Sequence, residues 1–254
     1  MNTVIEASDL TVRAPGARHA RGGAPVLLRG LAFGIAPGER VALVGHNGAG
    51  KSTLLRALTG FLPLAGGSAR VLDIRLDGVL RGGGLRRLRR QVAQVHQGLC
   101  LVDRLSVLGN VLVGAAGRQP SPATWFGRWP AAERRAAMAA LARVGMDWAA
   151  GRRADSLSGG ERQKVAIARA LLQRARIVFA DEPTASLDAR ASGEIARLLG
   201  ETAAESGATL VCVLHDLELL PTLADRAIAL RRGEIVADLA VGAGTPAAIR
   251  GLLG

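Results

Sequence analysis

One nine-residue stretch constrains this chain more than any other: Gly45-His46-Asn47-Gly48-Ala49-Gly50-Lys51-Ser52-Thr53. It follows the apolar run Val41-Ala42-Leu43-Val44 and leads into Leu54-Leu55-Arg56-Ala57-Leu58. That order reads as a buried strand, a glycine-rich loop and a helix. The spacing fits G-x-x-x-x-G-K-[ST], the phosphate-binding P-loop. Glycines let the backbone curl so that several N–H groups point inward, and the helix N-terminus adds its dipole. In such a loop Lys51 reaches the β- and γ-phosphates of a nucleotide and the Ser52 hydroxyl holds Mg²⁺. A glycine-rich turn that only caps a helix is the alternative, and the strand before the loop argues against it.

A second strand sharpens the reading. Ile177-Val178-Phe179-Ala180 is apolar and ends on two acids, Asp181 and Glu182, before Pro183. An apolar strand rarely ends on paired carboxylates without a cation or a water to manage. Asp181 suits the Mg²⁺-holding role, and Glu182 suits a general base for an attacking water. A third apolar strand, Ala208 to Leu214, ends at His215. A lone histidine at a strand end is usually a hydrogen-bonded surface residue. Here it falls at the carboxyl edge shared with the P-loop and the acids, where open α/β sheets bind ligands. Asp188 reads equally well as an N-cap for the helix that follows.

Leu157-Ser158-Gly159-Gly160-Glu161-Arg162-Gln163 opens another helix. Ser158 and Glu161 have the spacing of a capping box. Two glycines in a first turn cost helix stability, but they let an anion approach the helix N-terminus. Ser158, Gly159 and Gly160 thus form a second phosphate-facing surface.

The flanking sequence supplies the rest of the plan. Val4–Ala7, Leu10–Arg13, Val26–Leu28 and Leu31–Ile35 read as short strands of an antiparallel sheet, with loop signals at 14–16 and 21–23. A further strand is expected at Ser68–Leu72 and another at Val92–Val95. Between them Arg81 to Arg90 is strongly basic, read as a solvated loop and helix face in preference to a phosphate patch. Helices are expected at Ser106–Ala115 and Ala131–Val144, the second stopped by Gly145. Residues 117–130 break the pattern with three prolines and hold Trp125, Phe126 and Trp129. If that segment were helical, both tryptophans would share a face. They then either pack on their own helices or dock a partner. A hairpin, Arg226–Leu230 with Glu234–Ala237, turns at Arg232-Gly233, and a last helix begins near Thr245-Pro246.

With 254 residues, 49% of them hydrophobic, there is length for one large α/β domain with a smaller insert. No apolar run reaches membrane-spanning length and no signal peptide is evident. Cys100 and Cys212 are far apart in apolar settings and are expected to be buried thiols. The charge of +12 suits nucleic acid or an anionic membrane surface, or reflects no more than a coding style that makes Ala, Gly and Arg abundant. Aromatics make up only 3% and tyrosine is absent, so stacking platforms for single strands are missing.

Together these stretches resemble the ATPase subunits of ABC transporters. The likeness rests on GHNGAGKST at 45–53, LSGGERQ at 157–163, IVFADEP at 177–183, SLD at 186–188 and VLHD at 213–216, in family order over nearly the whole chain. It implies an α/β fold: a P-loop NTPase (RecA-like) core with an N-terminal antiparallel β subdomain and an inserted helical subdomain. Residues 1–97 and 161–254 would form the core and 98–160 the helical part. By the same likeness Gln97 contacts Mg²⁺ and the attacking water, and His215 contacts the γ-phosphate. Ser158 and Gly160 bind ATP held by the partner of a head-to-tail homodimer. Membrane permease subunits are the expected partners, with a periplasmic solute-binding protein acting indirectly and no nucleic acid. The chain would sit at the cytoplasmic face of the cell membrane through its permease.

Residues 97–112, the insert at 124–129 and Arg143-Val144-Gly145-Met146 look like phosphonate-importer ATPases. Another solute, an exporter, a non-transport ABC protein acting on nucleic acid or ribosomes, and a cassette that only clamps ATP are the alternatives. The intact Lys51, Gln97, Asp181, Glu182 and His215 argue against the last. Two departures stand out: His46 replaces the usual proline or serine, and the adenine-stacking aromatic is missing, with Arg13 or Ala14 in its register.

Overall fold

The computed structural model describes residues 3–15, 24–77, 82–96, 98–119, 121–185 and 187–253. In chain order these form β1 (Ile5–Arg13), β2 (Val26–Ile35), β3 (Arg40–Val44), α1 (Lys51–Leu58), β4 (Gly66–Val71), β5 (Ile74–Arg75), α2 (Gly83–Gln91) and β6 (Val92–Val95). Then come α3 (Val107–Leu112), α4 (Pro122–Trp125), α5 (Ala131–Arg143), α6 (Gly159–Gln173), β7 (Ile177–Asp181), α7 (Ala189–Ser206) and β8 (Thr209–Val213). The chain closes with α8 (Leu220–Leu223), β9 (Arg226–Arg231), β10 (Glu234–Ala240) and α9 (Thr245–Leu253).

Six strands make the central sheet in the order β10-β9-β3-β8-β7-β6. All neighbours run parallel except the β9–β10 hairpin. Parallel strands are covered on both faces, so their sequences run apolar without a polar face. Alternate residues serve opposite layers. Val41 and Leu43 pack with Leu54 of α1 and with Leu10 and Ile35 of the second sheet. Ala42 and Val44 pack with Ile167 of α6 and Leu199 of α7. Because β3 is central and its neighbours are parallel, the residues just past β3, β7 and β8 emerge along one edge.

The second sheet is antiparallel, ordered β2-β1-β4-β5. Where four short strands were expected at the N-terminus, two long ones form. Asp9 and Gly30 adopt left-handed backbones (φ +53° and +57°) inside β1 and β2, and pairing shifts register there without ending. These two residues look like strand breaks in sequence but act as facing bulges.

The segment after β6 is mostly helical. Val107, Val111 and Leu112 are buried, as the expected face required, with Ser106 capping α3 through Gly109 N–H (3.0 Å). Gly145 stops α5 with φ +69°. Two expectations fail. Cys100 is exposed, on a turn where Leu99 and Cys100 both have positive φ; Cys212 alone is buried, and burial pushes its thiol well up. The tryptophans do not share a helix face, because α4 ends at Trp125. Trp129 is half-buried against the helical core while Trp125 and Phe126 point to solvent.

Candidate active site

The P-loop lies between β3 and α1. Gly45 has φ +149°, and a Cβ there would sit 2.2 Å from the Leu230 carbonyl oxygen of β9. Only glycine lets the loop leave the sheet so close to its neighbour. Gly45→Ala is therefore expected to destabilise the protein by about 1–3 kcal/mol. A melting curve checks it, and an unchanged midpoint would mean the β9 backbone yields freely.

Lys51 is almost fully buried at the start of α1. Its ammonium donates to the carbonyls of Gly45 (2.7 Å) and His46 (2.9 Å). Burial pushes its pKa below the ordinary value, against the pull of the Glu182 and Asp181 charges. One residue on, the Ser52 hydroxyl donates to Asp181 Oδ1 at 2.9 Å. The two side chains expected to share a metal thus meet across the β3–β7 gap.

Glu182 adopts a left-handed backbone, φ +50°. For a residue with a Cβ this costs about 1–2 kcal/mol. The Ala185 N–H donates to its carbonyl (3.1 Å), closing a tight turn past β7. The carboxylate meets His215 Nε2 at 2.6 Å. Strain of this kind persists where surrounding contacts hold it, commonly at working sites. Lys51, Ser52, Asp181, Glu182 and His215 thereby converge on one sheet edge. Gln97 lies outside the described residues.

Ser158 caps α6 as expected: its hydroxyl accepts from Glu161 N–H (3.4 Å) and the Glu161 carboxylate accepts from Ser158 N–H (2.7 Å). A Cβ on Gly160 would meet nothing within 4 Å, so the helix N-terminus opens outward. Among the described residues, no hydrogen bond joins Ser158–Gly160 to residues 45–53. Asp188 caps α7, accepting from Ala191 N–H (2.8 Å).

Of the residues near the site, Glu218, Arg250 and His96 were not singled out from sequence, whereas His46 and Arg13 were. His46 Nε2 donates to the Leu253 carbonyl of α9 at 2.8 Å, and Arg250 of α9 pairs with Glu218, three residues beyond His215. These contacts span the chain, and no local pattern announces them. His96 lines a cavity of about 320 Å³ with Asp181, Gln94 and Phe61, and burial lowers its pKa. Its position beside Gln97 was the available signal. At the end of β1 Arg13 is tied down, its guanidinium donating to the Ala24 carbonyl (2.9 Å).

A phosphate loop at the end of a central parallel strand, with acids at the end of the next strand but one, defines a P-loop NTPase. The family model described as ABC transporter matches residues 28–185. A phosphonates import ATP-binding protein of Frankia casuarinae is 46% identical over 224 residues, covering 87% of each chain. One of Rhodopseudomonas palustris is 43% identical, covering 83% of this chain and 75% of the relative. This chain belongs to the ABC transporter family, among its ATP-binding cassettes. A solved dimeric cassette in a post-hydrolysis state bound to ADP and Pi superposes with a TM-score of 0.80 at 27% identity, covering 94% of this chain and 99% of that one. A Clostridium perfringens protein that is part of an ABC transporter complex gives 0.79 at 27%, covering 99% and 92%. Among the described residues no helix is long and apolar enough to cross a membrane.

Proposed function

We propose that this protein is the ATP-hydrolysing subunit of an ABC importer that drives uptake of phosphonate or a related oxyanion through a membrane permease. The convergence of Lys51, Ser52, Asp181, Glu182 and His215 on one sheet edge carries the hydrolytic reading. The solute class rests on the two phosphonate-import relatives and on the likeness of residues 97–112. Residues 1–97 and 161–254 would act as the nucleotide core and 98–160 as the helical part.

In this reading residues 45–53 wrap the phosphates and Lys51 pairs with the β- and γ-phosphates. Glu182 takes the proton of a water as that water attacks the γ-phosphorus, and ADP leaves with the electron pair. His215 orients the Glu182 carboxylate and reaches the γ-phosphate. Ser52 and Asp181 supply hard oxygen donors already within hydrogen-bond reach of each other, a set that suits Mg²⁺. With Gln97 they would hold the ion, which when bound neutralises phosphate charge. The outward-facing Ser158–Gly160 surface would complete the site of a second copy, head to tail. The chain would sit at the cytoplasmic face of the membrane, held there by its permease.

Lys51→Ala tests the nucleotide assignment. Loss of a charge-assisted contact of about 1.5–3 kcal/mol predicts roughly 10- to 100-fold weaker ATP binding by calorimetry. Unchanged affinity would overturn the P-loop role. For the solute, ATPase activity of the reconstituted transporter should rise with phosphonate-loaded binding protein, and a lack of response to phosphonates would reassign it.

A further inference from the structure

Two features take no part in nucleotide chemistry: the basic helix α2 and the aromatic turn that follows α3. The fold sets them against each other. A Cβ on Gly117 would lie 3.2 Å from Arg90 Cγ, so the root of the turn rests on the end of α2. From there the chain folds into a small knob. Thr124 Oγ1 donates to the carbonyls of Gln119 (3.2 Å) and Ser121 (2.7 Å), and Arg128 N–H donates to that of Ala123 (2.9 Å). Half-buried Trp129 anchors the knob to the helical core. At its tip Trp125 and Phe126 are 87% and 85% exposed.

The surroundings are cationic. Arg86, Arg89, Arg90 and Arg128 are exposed, and none has a carboxylate partner among the described residues; only Arg87 of α2 is paired, to Asp73. The Arg89 guanidinium lies over the ring of Phe61 (4.5 Å), which is itself half exposed. Adjacent exposed large aromatics mark a surface meant to be covered. Anchors between proteins usually fill pockets at the centre of a flat patch. These rings instead stand exposed on a knob whose root rests on a helix carrying unneutralised arginines, with Arg128 two residues past Phe126. Amphipathic aromatics that enter a headgroup layer, flanked by cations that pair with anionic lipid, have this form.

We propose that this face docks on an anionic lipid surface, with Trp125 and Phe126 entering the headgroup layer and the α2 arginines pairing with lipid phosphates. The positive charge of the whole chain, +12, is complementary to such a surface. The contact would hold the cassette close to the bilayer in a fixed orientation, independently of nucleotide.

The test is co-sedimentation of the full chain, without nucleotide, with vesicles of pure phosphatidylcholine and of equimolar phosphatidylcholine and phosphatidylglycerol. Binding is expected to the mixed vesicles only, with a blue shift of tryptophan emission and weakening as salt is raised. A Trp125→Ala, Phe126→Ala double variant and an Arg86→Gln, Arg90→Gln double variant should each bind about tenfold or more weakly, with melting and soluble ATPase activity unchanged. No binding to the mixed vesicles, or equal binding by the variants, overturns the proposal. Variants that keep vesicle binding but lose co-purification with the permease also overturn it and assign the face to protein contact. Because no nucleotide is present, failure here leaves the ATPase reading untouched.

Discussion

Glu182→Gln is expected to bind ATP like the wild type and to hydrolyse it about 10²–10⁴-fold more slowly, the range for loss of a general base. Glutamine keeps the length and shape of the side chain and a hydrogen bond to His215. The turn through Glu182, with its left-handed backbone, needs no carboxylate to form, since the Ala185 N–H bonds the main-chain carbonyl. What is lost is an acceptor for the proton of the attacking water. With chemistry blocked and binding intact, the variant should accumulate as an ATP-bound dimer in size-exclusion runs. Hydrolysis at the wild-type rate would remove Glu182 from the base role and leave His215, 2.6 Å away, as the next group to test.

The parts of the fold that sequence displays are those whose signal is local. Val41–Val44, Ile177–Ala180 and Thr209–Val213 are largely apolar runs because both faces of a parallel sheet are covered, and a turn or polar residue follows each within two positions: Gly45, Asp181 and His215. The cap at Ser158 and the stop at Gly145 act within a turn or two of themselves. The N-terminal strands misled because Asp9 and Gly30 carry turn chemistry, whereas pairing across β1 and β2 continues past both bulges. Cys100 misled because its apolar neighbours suggest burial, although its backbone is a turn held from below by Arg169, which donates to the carbonyls of Leu99 and Cys100.

The site divides the same way. Lys51, Ser52, Asp181 and Glu182 were readable because each sits at a fixed offset from a strand end. Their mutual distances depend on which strands are neighbours, and the order β3-β8-β7 is not written in any one segment. The contact of His46 with Leu253 crosses most of the chain and joins the P-loop to the last helix. The aromatic turn is the plainest case of tertiary decision. Of three rings within five residues one packs inward and two do not, because α4 ends after a single turn.

Substitution of Ser158 is expected to have the other large effect. Within one chain Ser158 and Gly160 make no hydrogen bond to the P-loop among the described residues, yet α6 presents an open N-terminus at them. A second copy turned head to tail would place that terminus on the γ-phosphate, where oriented N–H donors stabilise developing charge. Ser158→Arg should abolish this, filling the opening and setting a cation at a helix N-terminus. Loss of such donors predicts at least about 10²-fold slower turnover of the purified homodimer, while ATP binding to the monomer persists. Lys51→Ala chains should be inactive as homodimers for a different reason. Mixed, the two inactive chains form heterodimers in which the intact P-loop of one faces the intact Ser158–Gly160 surface of the other. Activity should therefore reappear on mixing, with one working site per heterodimer. If Ser158→Arg protein dimerises with ATP and hydrolyses it normally, or if mixing restores nothing, the head-to-tail arrangement is wrong and each chain must complete its own site.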